Sequence, residues 1–316
     1  MDLRGLLIAV VIFFTSISCS KPAEITEKHT YPIKLGTFIE PKEHGVTDLF
    51  IHSPWNPWQY AALGFPEHCW GMNLPNTSHD SKEPVRSPWR ISEDSIEAVF
   101  ERNPRERVLF RARAVADSMA VRLSLEIIND SEVGIEDIRS LICFKPDAAK
   151  GLPSRSVAMT AFRDTSYEMT WFPVDGKPVQ LHEDTHYQGD YPDRGWTDIR
   201  TKINWGVNIK GGLDNRTIHD MGWFRGNSPG RIVEEEADPA LIAIHARGDT
   251  TRWVATIWNP ARILFCNPQN PCFHSDPDFA DCPAGGKTGA EGIIFFHDGS
   301  FEALVKRALA WRESRN

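Results

Sequence analysis

The sequence predicts a mainly β protein, a large antiparallel β-sandwich with a short C-terminal helix. Three observations carry this. Apolar and polar residues alternate with a period of two over several runs in the middle of the chain. Polar turns separate those runs, Asn103-Pro104-Arg105 and Asn129-Asp130-Ser131 among them. Helical spacing shows only after Phe301, where Phe301, Leu304, Val305, Ala308, Leu309 and Trp311 share one face.

The front of the chain, 1–19, reads as a secretion signal. Leu6–Phe14 is an unbroken apolar run, LLIAVVIFF, too short to cross a bilayer as a mature helix. Small residues follow, and Ser18-Cys19 ends the segment like a bacterial lipobox. Cys19 is therefore the expected lipidation site. The expected address is extracytoplasmic, periplasmic or cell-surface, with the membrane as a partner through the lipid anchor. Residues 20–43 are polar, carry three prolines and read as a flexible tether. Residues 44–316, about 270 positions, suffice for a single sandwich domain.

Within that domain, Ser95–Glu101, Arg107–Arg113 and Met119–Ile127 form a meander. In the last of these, Met119, Val121, Leu123, Leu125 and Ile127 alternate with Ala120, Arg122, Ser124 and Glu126, which gives one wet face. Further strands are expected at Ile138–Phe144, Arg200–Ile209, Leu241–Ala246, Trp253–Trp258 and Gly292–His297. Repeats, heptads and Gly-rich phosphate loops are absent from the sequence.

The net charge of −8 argues against nucleic acid as a partner. Of the six cysteines, Cys69, Cys143, Cys266, Cys272 and Cys282 follow Cys19. In an oxidising compartment two disulfides are expected, most readily among the last three, with at least one thiol left over. Cys143, inside an apolar run, is expected to be a plain buried side chain. The spacing of Cys266, Cys272 and Cys282 fits no standard zinc motif.

Leu181–Gly189, LHEDTHYQG, matches H-E-x-x-H. A zinc peptidase needs both histidines on one face of a long buried helix. Here Gly176-Lys177-Pro178 and Gly189-Asp190-Tyr191-Pro192 bracket the motif, leaving room for about ten helical residues. Val179 and Leu181 are too few to bury a stripe, and a third ligand in metzincin register would fall on Pro192. The motif is read as a polar surface loop. No cofactor is expected. The alternatives are zinc or calcium on His182 and His186, with Asp184 and Asp190 as further donors, and a zinc metallopeptidase is the remotest functional reading.

Two other stretches concentrate aromatic and polar groups. His52–Asn73, HSPWNPWQYAALGFPEHCWGMN, is read as an aromatic loop. Trp55, Trp58 and Trp70 offer flat faces for sugar rings, and Glu67, His68 and Asn73 can read hydroxyls. The competing reading has the tryptophans capping the end of the core. The second stretch holds Trp258, Arg262, His274 and Asp276. His274 and Asp276 would face the same side of a strand, where the carboxylate could tune the imidazole for acid or base work. Such pairs also occur as ordinary structure.

Ser118–Asp130, SMAVRLSLEIIND, followed by Ile135–Phe144, IEDIRSLICF, resembles the galactose mutarotase-like supersandwich family. Asn270–Pro283, NPCFHSDPDFADCP, and the strand Gly292–His297 add to the resemblance, which spans about 45–300 in pattern. The chain is also similar to uncharacterised secreted bacterial proteins. The resemblance implies a supersandwich fold and a carbohydrate substrate. It also implies a Glu base on the anomeric hydroxyl and a His acid on the ring oxygen. No motif places that pair here, and Glu67, His68 and His274 are candidates by chemistry.

The expectation is therefore an extracytoplasmic carbohydrate-active protein. His274, Asp276, Glu67 and His68 are its catalytic candidates, and Trp55, Trp58, Trp70, Asn73, Arg262 and Trp258 its substrate-binding candidates. An epimerase, a lyase and a glycoside hydrolase all fit. A non-catalytic glycan-binding or scaffold lipoprotein is the alternative.

Overall fold

The computed structural model describes residues 30–37, 48–75, 89–146, 157–181, 204–212, 230–267 and 271–315. In chain order the strands are β1 (Leu35–Thr37), β2 (Asp48–His52), β3 (Gln59–Met72), β4 (Arg90–Ile91), β5 (Glu97–Arg105), β6 (Val108–Ala116), β7 (Ala120–Asn129), β8 (Glu136–Lys145) and β9 (Val157–Ala158). They continue as β10 (Thr170–Val174), β11 (Lys177–Gln180), β12 (Asn204–Ile209), β13 (Gly230–Ala237), β14 (Leu241–Ala246), β15 (Asp249–Asn259), β16 (Ala261–Asn267), β17 (Cys272–Pro277) and β18 (Gly286–Asp298). One α-helix among the described residues, α1 (Phe301–Glu313), follows.

Among the described residues these strands form two nine-stranded sheets. The first runs β1-β2-β3-β8-β17-β16-β12-β13, with β9 alongside β3. The second runs β11-β10-β14-β15-β18-β7-β6-β5-β4. Pairing is antiparallel except at β12–β13 and β3–β9. The architecture is the β-sandwich with one terminal helix that the alternation implied.

The period of two explains how the sheets stack. In β7, Val121, Leu123, Leu125 and Ile127 point to the inter-sheet core, which also holds Leu63, Phe65, Phe144 and Phe273 from the first sheet. The second sheet's other face is apolar too. Leu241, Trp253, Ile257, Ile293 and Phe295 lie there, covered by Phe301, Leu304, Val305 and Ala308 of α1. The helix starts at Ser300, whose hydroxyl accepts the Ala303 N–H at 3.3 Å.

The structure corrects several expectations. His52–Asn73 is not a loop: its larger part is β3, the longest strand of the first sheet. β16 and β17 are strands beyond those expected from the alternation. The turn after β5 falls at Glu106–Arg107 rather than at Asn103-Pro104-Arg105. Arg107 takes the left-handed conformation (φ 60°), and a register shift between Arg102 and Arg105 carries β5 further. Residues 30–37 are docked rather than part of a tether. Ile33 and Leu35 are buried, and β1 pairs with β2.

The expected disulfides are not formed. Cys69, Cys143, Cys266, Cys272 and Cys282 are all buried free thiols. Strand parity is the reason for the first pair: Cys266 sits opposite Phe273 on the core side, whereas Cys272 sits opposite Asn267 on the other face. Cys282 lies elsewhere, against Ile127 O at 3.8 Å.

Candidate functional site

β8 lies between β3 and β17 in the first sheet. β17 meets β8 at Phe273↔Phe144, and both rings turn inward, with centroids 5.1 Å apart. Their strand neighbours therefore turn outward. From β17 these are Cys272, His274 and Asp276; from β8 they are Cys143 and Lys145. β3 brings Glu67 to the same face, because its register against β8 shifts between Gly64 and His68. Gly64 gives the shift room: a Cβ there would lie 3.1 Å from Glu67 Cβ and 3.5 Å from Cys143 Cβ.

The resulting cluster has two layers. The upper layer is half-buried. Lys145 Nζ lies 3.3 Å from Glu67 Oε1, with the Glu67 side chain 28 % exposed. His68 stands edge-on to Trp70, with ring centroids 6.2 Å apart. Burial alone would raise the Glu67 carboxyl. The positive charges of Lys145, His274 and His68 outweigh burial and hold it below the usual carboxylate range. Glu67 is thus ionised at neutral pH and able to accept a proton.

The lower layer is closed to solvent. His274 is 2 % exposed and Asp276 0 %. His274 Nδ1 lies 3.4 Å from Asp276 Oδ1, which also accepts the Ile142 N–H at 2.8 Å. His274 Nε2 faces the other way, 3.3 Å from Cys272 Sγ. Phe265 meets the imidazole edge-to-face, centroids 5.0 Å apart. Burial, then contact with Cys272, pushes the Cys143 thiol well above its usual range. Burial opposes charge on His274, but Cys143 and Asp276 outweigh it and hold the imidazole well above its usual value. Cys143 is neutral at pH 7, so Asp276 is the anion that counts there. Burial raises Asp276 against the pull of His274 and the Ile142 N–H. The pair behaves as one titrating unit.

The sheet thus brings together Glu67, His68, His274 and Asp276, although residues 68 and 274 are far apart in sequence. The proposed binding residues scatter. Trp70 borders the cluster. Trp55 packs against the inter-sheet core, its Nε1 donating to Asp298 at 2.8 Å and its ring stacked on Phe162 at 5.5 Å. Trp258 is 1 % exposed in the inter-sheet core, against Phe65. Trp58 is 61 % exposed. Asn73 takes a left-handed conformation (φ 62°) and donates to Gly134 O at 3.3 Å. Arg262 lies 3.6 Å from Asp278 and 3.7 Å from Asp137. Cys19, His182 and His186 lie outside the described residues. The segment leading into the HEDTH motif is strand β11, and Leu181 is buried.

Sequence reasoning missed Lys145, Cys143 and Cys272. The signal was there: Cys143 and Lys145 flank Phe144, and Cys272, His274 and Asp276 alternate with Phe273 and Ser275. A groove of about 910 Å³ lies on the second sheet. It is lined by Arg111, Arg113 and Glu126, which are engaged in ion pairs with each other or with Glu97 and Glu101.

No protein-family model matches this chain, and no curated protein matches it. Among solved structures it is similar to a galactose mutarotase-related enzyme from Lactobacillus acidophilus. That match has 9 % identity and a TM-score of 0.37 and covers 86 % of this chain and 98 % of the other. It is also similar to a polysaccharide lyase, at 12 % identity and a TM-score of 0.33, over 86 % of this chain. The chain spans 34 % of that lyase's length.

Proposed function

We propose that the chain binds a carbohydrate over Glu67, His68 and Trp70 and acts on it by acid–base chemistry. The observation that carries the reading is the half-buried, ionised Glu67, held by Lys145 on the outer face of central strand β3. Such a carboxylate can take a proton from a sugar hydroxyl, and His68 beside it can supply one to a ring or bridging oxygen. The Trp70 ring offers the flat apolar surface that a pyranose face packs on. His274 and Asp276 lie beneath and support the electrostatics rather than touching the ligand.

The test is turnover on a panel of reducing sugars and polysaccharides. Mass spectrometry reads new products, and NMR exchange reads mass-neutral anomer interconversion. Glu67→Gln is expected to lower the rate by roughly 10²–10⁴-fold, with the fold retained by circular dichroism. Sugar binding without turnover would move the protein to the non-catalytic class. Neither binding nor turnover with any sugar would end the carbohydrate reading.

A further inference from the structure

The lower layer of the cluster has its own chemistry. The ligand atoms of Cys143, Cys272 and His274 all lie within 4.8 Å of one another. All three residues are buried, on two strands in the middle of a sheet. We propose that Cys143 Sγ, Cys272 Sγ and His274 Nε2 bind a single soft divalent ion of the zinc type.

Several observations point the same way. The donors are two thiols and one imidazole, the set that zinc and other thiophilic ions prefer over magnesium or calcium. The orientation of His274 fits a ligand. Nε2 faces the Cys272 sulfur at 3.3 Å. Nδ1 faces Asp276 Oδ1 at 3.4 Å and has no hydrogen-bond partner among the described residues, nor has Asp276 Oδ2. An ion on Nε2 fixes the imidazole proton on Nδ1, where it can donate to that carboxylate. Histidine ligands are generally oriented this way, by an outer carboxylate. Phe265 fixes the ring plane from the side. Binding releases the two thiol protons and the Nε2 proton of the imidazolium to solvent, so the divalent ion and two thiolates form a neutral unit beside a neutral imidazole.

Three protein ligands leave one coordination position. Glu67 flanks the site: its Cβ and that of Cys143 converge on the bare Cα of Gly64. The ion would therefore sit under the proposed carbohydrate surface. The ligand set stands without that reading, because its test involves no sugar.

The test uses the full chain, purified reduced and free of chelator, with Co²⁺ as the probe. One ion per chain is expected, with a near-ultraviolet thiolate-to-cobalt charge-transfer band and tetrahedral d–d bands. Zn²⁺ should bleach both. Cys143→Ser and Cys272→Ser should lose the charge-transfer band, and Cys282→Ser should keep it. Asp276→Asn should keep the band and weaken affinity by roughly 10–100-fold. The wild-type spectrum alone decides if a variant fails to fold. Cobalt bound without a charge-transfer band would put the ion on non-thiol ligands such as His182 and His186 and overturn the proposal. So would no binding, or a Cys143–Cys272 disulfide that reductant and Co²⁺ together do not convert.

Discussion

Glu67 is the side chain on which the surface chemistry turns, and its charge also touches stability. Its carboxyl is held below its ordinary value of 4.5, chiefly against burial, by Lys145, His274 and His68. A depressed folded-state value adds stability above the unfolded value, and that stability is lost as pH falls through the folded one. The denaturation midpoint of the wild type should therefore drop below pH 4.5, and that of Glu67→Gln should drop less. Parallel curves would show that Glu67 contributes nothing to the slope. Residue chemistry was the part of the site that sequence showed best. Glu67, His68, His274 and Asp276 stand out by type and spacing. Lys145 and Cys143 stand out less: their alternation about Phe144 places them on one face, but only β17 lying beside them shows what that face meets.

At the scale of elements, legibility followed burial. β6, β7 and α1 show their period plainly because one face of each is wet or differs in polarity. β3 does not. Seven consecutive residues, Tyr60–Pro66, are buried, so both faces are apolar there and the alternation vanishes. Pro54, Pro57 and Pro66 also read as loop punctuation. Pro66, which has no N–H to give, falls inside the register shift between Gly64 and His68. The helix has the opposite character, with each device local. Ser300→Ala removes the hydroxyl that accepts the Ala303 N–H. It should lower stability by about 1 kcal/mol, read as a shift in the denaturation midpoint, with no effect on sugar turnover or metal content.

The whole molecule divides labour between two outer faces. One is closed by α1, and the other carries the polar cluster. Removing 300–316 would bare Leu241, Trp253, Ile257, Ile293 and Phe295 at once. Such a patch is the kind that drives association. The truncated chain is expected to bind a hydrophobic dye and to elute as an aggregate, and a well-behaved monomer would contradict that assignment of the helix. The sandwich was legible at this scale because alternation along many strands needs no knowledge of their order. The site was not, because order alone decides that β3, β8 and β17 adjoin.

That order also sets a timetable. β8 gains one neighbour, β3, from chain already synthesised, but its other neighbour is β17, which ends at Pro277. Until then the strand carrying Cys143 and Lys145 presents an unpaired edge in the middle of a future sheet, open to strands of other chains. Closing it requires contacts between distant parts of the chain, which makes assembly slow. A nascent chain stalled before Cys272 would lack both a completed first sheet and the Cys272, His274 and Asp276 part of its cluster, so the last strand to enter the sheet is also the one that completes the site.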